Sequence, residues 1–170
     1  MHVFAEGEWI VYDSTGVCQV SSIGPLTENP AADRNKTYYT LLPIRGRGTI
    51  YIPVDSSVFM RPVISRQQAE ALLKKVPELD APVCITRDLK QLRDYYGNFL
   101  KTHTCEDLVR LIRSVREKNR KLEARGGHPR KIDQDYQKRA EELLYTELST
   151  ALHQPYDLVV QRVEQQIGNT

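Results

Sequence analysis

The sequence predicts an α+β chain of 170 residues, in which a small β-barrel over residues 1–64 precedes an all-helical region over residues 65–170. Three observations carry this. Short apolar runs separated by glycine-containing or polar turns fill the first third of the chain. After Ser65 glycine and proline thin out and apolar residues recur at helical spacing. The change of periodicity falls at one place, near Pro62, which favours two small domains over one.

In the first region, Trp9-Ile10-Val11-Tyr12 and Val17-Cys18-Gln19-Val20 flank Asp13-Ser14-Thr15-Gly16 and read as a hairpin. Residues 25–36 form a polar loop with two prolines. Residues 38–43 and 49–54 are the next strands, joined by Ile44-Arg45-Gly46-Arg47-Gly48, a tip whose glycines permit positive φ. Gly-rich sequence beside arginine can cradle phosphate, but here it leads into no helix, so a turn is the better reading. Four or five such strands make an SH3-like or Tudor-like barrel. A barrel this small holds a partner; it cannot bury a catalytic pocket.

The helical region opens at Ser65, which with Gln68 forms a capping box for a helix reaching about residue 76, and Pro77 and Pro82 bracket the linker that ends it. Thr86 is placed to cap a second helix ending near Leu100, with Leu89, Leu92, Tyr96 and Phe99 on one stripe. Thr104 with Asp107 opens a third, which Gly126-Gly127 stops. A fourth spans about residues 131–153 with Ala140, Leu143, Leu144, Leu148 and Ala151 facing inward, and Pro155 suits the first turn of a last, short helix.

The net charge of +2 hides an asymmetry, because residues 110–131 hold nine basic side chains against only Glu117 and Glu123. On the third helix Leu108, Leu111, Ile112, Val115 and Leu122 share one face, while Arg110, Arg113, Arg120 and Lys121 cluster around the opposite pole. A charge run is often just a solvated face. The shortage of acidic partners at i,i+4 spacing raises phosphate contact to an equal alternative.

Other chemistries find little support. Cys18, Cys84 and Cys105 are too far apart and odd in number for a disulfide framework or a CxxC metal site, and are expected to be reduced. His2, His103, His128 and His153 lack ligand spacing, so no metal and no cofactor are expected. P-loop, GxSxG, HExxH and dinucleotide fingerprints are absent, which argues against an enzyme and leaves no catalytic residues to name. With no signal-peptide pattern and no apolar run of roughly 20 residues, the protein is expected in the cytoplasm, without membrane contact.

Gly7-Glu8-Trp9-Ile10-Val11-Tyr12, Gly16-Val17, Tyr38-Tyr39, Ile52-Pro53-Val54-Asp55 and Met60-Arg61-Pro62-Val63-Ile64-Ser65 resemble, in order and spacing, the polymerase-interacting domain of the CarD and CdnL transcription regulators, which the transcription-repair coupling factor shares. Glu106-Asp107-Leu108-Val109-Arg110-Leu111-Ile112-Arg113 and Ala140-Glu141-Glu142-Leu143-Leu144-Tyr145-Thr146-Glu147-Leu148 are similar to the helical half of CarD.

The resemblance implies a bacterial, monomeric initiation factor whose barrel grips the RNA polymerase β-subunit lobe. A barrel edge can accept a strand from its partner, and Arg47, Thr49, Ile50, Tyr51 and Ile52 are the implied polymerase-binding residues. The helical domain is implied to touch promoter DNA at the upstream edge of the bubble, without base-sequence specificity, and to modulate open-complex stability. Leu89, Lys90, Arg93, Arg110, Arg113, Arg116, Arg120 and Lys121 are the candidates for that contact. One departure stands out: CarD proteins begin their DNA-facing helix with a tryptophan wedge, whereas this chain has only Trp9, and Leu89 takes the matching position. Leu89 is then either a smaller wedge or, on the plainer reading, the first residue of its core stripe. The competing function is a protein-binding adaptor that never touches DNA.

Overall fold

The first hairpin closes because Asp13 and Gly16 adopt left-handed backbone, with φ of 38° and 93°, a region that costs glycine nothing and asparagine or aspartate little. It joins β1 (Trp9–Tyr12) to β2 (Gly16–Gly24). In the computed structural model, which describes residues 3–168, β3 (Tyr38–Pro43), β4 (Ile50–Pro53) and β5 (Met60–Pro62) complete an antiparallel sheet in the order β4-β3-β2-β1-β5. The sheet is open. β4 and β5 are its edges, and this corrects the closed barrel expected from the strand pattern. Phe4, Ile10, Cys18, Val20, Tyr39, Leu41 and Ile52 form the core on one face, and a register shift between Val20 and Ser22 bends the long β2.

Both edges carry a proline where no ladder donor is needed. Val54 N–H donates to Thr37 O (3.0 Å), so by antiparallel alternation the pairs Ile52/Tyr39 and Ile50/Leu41 exchange hydrogen bonds, and Tyr51 and Pro53 turn their backbone groups outward. Val63 N–H to Trp9 O and Asp13 N–H to Phe59 O set the same phase on β5, leaving Met60 and Pro62 outward. Proline in either inward position would cost a ladder bond.

The chain divides between Ile64 and Ser65 into two units. The second holds α1 (Arg66–Lys75), a 3₁₀ turn at Val76–Glu78, α2 (Leu89–Lys101), α3 (Cys105–Ala124), α4 (Lys131–Leu152) and α5 (Tyr156–Gly168). The Ser65/Gln68 capping box is present, with bonds of 3.0 and 2.8 Å. The cap of α2 is Asp88 rather than Thr86. Asp88 accepts from Lys90 N–H at 2.9 Å, while the Thr86 hydroxyl steps back to accept from Asp88 N–H. α3 ends as expected at Gly126, φ 79°, and Gly127 packs so close that a Cβ there would lie 2.6 Å from Leu122 Cδ1. The last helix is 13 residues long, not short.

Neither central helix keeps a single buried face. On α3, Cys105, Val109 and Ser114 are buried beside Leu108, Leu111, Ile112 and Val115, because α2 and α4 both pack on it. Leu122 is only half-buried. α4 meets α1, α2, α3 and α5, so its C-terminal half is enclosed almost all round from Leu144 to Leu148. Within this core the Asp133 carboxylate accepts from the Tyr96 hydroxyl (2.5 Å) and Lys118 Nζ (3.0 Å), which compensates much of the cost of burying a charge. Burial, reinforced by that carboxylate, pushes the Tyr96 hydroxyl well above the ordinary tyrosine pKa.

Candidate functional site

On the sheet unit, β4 offers an edge that a strand can extend. Tyr51 is half exposed and directs its N–H and C=O away from β3, which provides one donor and one acceptor for a partner backbone. Thr40 stands opposite Tyr51. Leu42, 42% exposed on the same outer face, lies diagonal to it. Of the sequence candidates, Arg47, Thr49 and Tyr51 are exposed, whereas Ile50 is half-buried against the core and Ile52 is 5% exposed within it. The side chains of Ile50 and Ile52 are therefore corrected from contact residues to the apolar backing of the edge. Leu42 was missed; strict alternation from the buried Leu41 would have placed it outward. Cys18 is in the core, and burial pushes its thiol up to about 11.

On the helical unit, the α3 arginines are largely occupied. Arg110 pairs with Asp107 at 2.7 Å, and Arg120 and Lys121 both pair with Glu117. Arg113 Nη1 donates to Val76 O and Pro77 O, each at 3.0 Å, holding the 3₁₀ turn against α3. Arg116 binds Glu141 and is forked onto Glu164, which also accepts from the Tyr145 hydroxyl. The Arg116 guanidinium holds the Glu164 carboxyl below the usual carboxylate range. The shortage at i,i+4 spacing holds on α3, where Glu117 serves Lys121 in that way, but partners arrive from elsewhere: Asp107 from i,i+3 spacing, and Glu141 and Glu164 from other helices.

Positive charge remains without partners at the N-terminus of α2. Among the described residues, the side chains of Lys90 and Arg93 have no ion-pair or hydrogen-bond partner, and both are exposed. Beside them a cavity of about 460 Å³ is lined by Leu89, Arg93, Arg130, Lys131, Ile132, Asp135 and Tyr136. Leu89 is 42% exposed at its mouth, so the plainer core reading is corrected; its expected companions Leu92 and Tyr96 are fully buried. Arg130 is the N-cap of α4 but makes no side-chain cap; its guanidinium instead donates to Thr86 O at 3.0 Å. Lys131 pairs with Asp135 at 3.3 Å. The Tyr136 ring is braced by Tyr96, centroids 5.1 Å apart. Ile132, Tyr136, Ala140 and Leu144 follow i,i+4 spacing, a signal in the sequence that would have brought the α4 residues into the site.

Among the described residues no group of His, Cys, Asp and Glu is arranged to hold a metal ion. His103 and His153 adopt left-handed backbone at helix ends, and His2 lies outside the described residues. No described helix is long and apolar enough to cross a membrane. Comparison with curated proteins gives no match to the chain. Residues 4–64 match the CarD-like/TRCF RID domain family, a span that coincides with the open sheet and its exposed β4 edge. Over residues 4–64 the chain is therefore similar to the CarD-like/TRCF RID domain family.

Proposed function

We propose that the chain is a non-enzymatic bacterial regulator of transcription initiation. Its open-sheet unit docks on the RNA polymerase β-subunit lobe, and its helical unit contacts promoter DNA near the upstream edge of the bubble to modulate open-complex stability. It acts as a cytoplasmic monomer without a cofactor and reaches the nucleoid through polymerase. The observation that carries the polymerase half is the β4 edge of a polymerase-interacting domain, with Tyr51 outward and its apolar backing intact. What supports the DNA half is the uncompensated charge of Lys90 and Arg93 around a cavity-rimming Leu89. Such contacts fix position rather than read bases, so specificity would come from where polymerase sits.

The test is capture of the β lobe by the full chain, with and without nuclease. Tyr51→Pro removes an outward donor and should abolish capture while the chain stays folded, whereas Ile50→Pro removes an inward donor and should detach β4 itself. Capture by the folded Tyr51→Pro variant at wild-type affinity would sink the strand-addition reading. The self-neutralised arginines of α3 favour a second reading, an adaptor that binds polymerase but no DNA. Absence of salt-sensitive DNA binding by the full chain would select it.

A further inference from the structure

Resting on the proposed DNA contact, we infer that the cavity between α2 and α4 is a pocket for one unstacked DNA base with its phosphate, so that α4 as well as α2 belongs to the nucleic-acid surface. Its volume, about 460 Å³, falls in the roughly 300–1,000 Å³ range of clefts that take a small molecule. It is an open cleft reached directly from solvent. It suits a nucleotide that has left the stack. The lining supplies both halves of such a ligand. Leu89, Ile132 and the Tyr136 ring offer apolar and aromatic surface to a base, and Arg93, which has no partner, faces a phosphate beside Arg130 and Lys131, which Thr86 O and Asp135 engage.

The groups are held in advance. Tyr96 braces the Tyr136 ring and is itself anchored on buried Asp133, and Thr86 O holds the Arg130 guanidinium. Preorganised groups lose less entropy on binding. Another cavity of the unit, about 430 Å³ beside Arg113, Arg116 and Arg120, is the instructive contrast. Asp80 and Glu117 line it as well, and Glu141 and Glu164 already occupy Arg116. Its arginines all have partners already, and no aromatic ring lines it. A strand-borne base is favoured over a free nucleotide because Lys90 extends the positive surface along α2 from Arg93 beyond the pocket, where flanking phosphates of a continuous strand would run.

The experiment is fluorescence anisotropy of the full chain with three labelled DNAs at one salt concentration: a blunt duplex, a duplex ending in unpaired nucleotides, and the latter with an abasic first unpaired position. The junction should bind about tenfold tighter than the duplex, in line with base–aromatic stacking, and the abasic site should erase that preference. Leu89→Trp, made at an exposed position, should plug the mouth and lose the junction preference with its melting temperature unchanged. A base-independent wedge predicts the reverse, so a tighter junction complex for Leu89→Trp, or full preference for the abasic junction, overturns the pocket. Millimolar dAMP or dTMP that displaces the junction as effectively as unlabelled junction DNA would overturn the strand-borne occupant. Equal binding of duplex and junction defeats the pocket alone; binding of neither defeats the DNA contact on which it rests.

Discussion

The arginines of α3 and the start of α2 both concentrate positive charge, but only the second, at Lys90 and Arg93, leaves cationic side chains without partners among the described residues. On α3 the guanidinium groups are spent inside the unit: Arg113 on two carbonyls, Arg116 on Glu141 and Glu164, Arg110 and Arg120 on acidic neighbours one turn away. Around the cavity, Lys90 and Arg93 are exposed and lack partners among the described residues. The density of basic residues along a helix therefore overstates its pull on a polyanion. Tertiary structure decides which charges are already answered.

The largest expected effect tests the structural half of this contrast. Arg116→Met should leave Glu141 and Glu164 without their shared cation and cost about 2 kcal/mol of helical-unit stability, less than the roughly 3–5 kcal/mol of a fully buried pair because these side chains are partly exposed. Thermal melting should fall by about 10 °C, at the 4–8 °C per kcal/mol typical of a domain this size. DNA binding well below the melting point should not change. Weaker binding by a folded Arg116→Met chain would erase the distinction between the two surfaces.

Next in size is the salt response. Each lost phosphate contact reduces the slope of log K against log salt by about 0.9, so Lys90→Gln with Arg93→Gln should flatten it by about 1.8 without altering melting. Arg110→Gln with Arg120→Gln should leave it unchanged. The opposite pairing of outcomes would return the DNA surface to α3.

The smallest effect is a pH dependence that sharpens the same point. Hydrogen bonding from Arg116 lowers the Glu164 pKa, and bonding from Arg162 lowers that of Glu70. Their stabilisation is present above the ordinary carboxylate value of about 4.3 and is lost as pH falls through the lower folded values. The helical unit should melt at lower temperature as pH drops below about 4, and Arg116→Met should show a shallower decline. An identical acid response in wild type and Arg116→Met would mean that this network contributes little to stability.

The sequence by itself determined what local chemistry controls. The Ser65 capping box, the Gly126 stop, the Tyr38–Pro43 strand and the two-part α+β order all follow from residues within a few positions of one another, where backbone conformation and hydrogen bonding are decided locally. The cap of α2 was misplaced by two residues because Thr86 and Asp88 are both competent caps and only the path of the loop chooses. Long-range contacts decided the rest. That the sheet stays open, that Ile52 is core while Tyr51 is edge, that Glu141 and Glu164 answer Arg116, and that Leu89 opens onto a cavity completed by Ile132 and Tyr136 all depend on elements tens of residues apart. Periodicity reports that a side chain has a face; it does not report which neighbour, or which opposite charge, will be there to cover it.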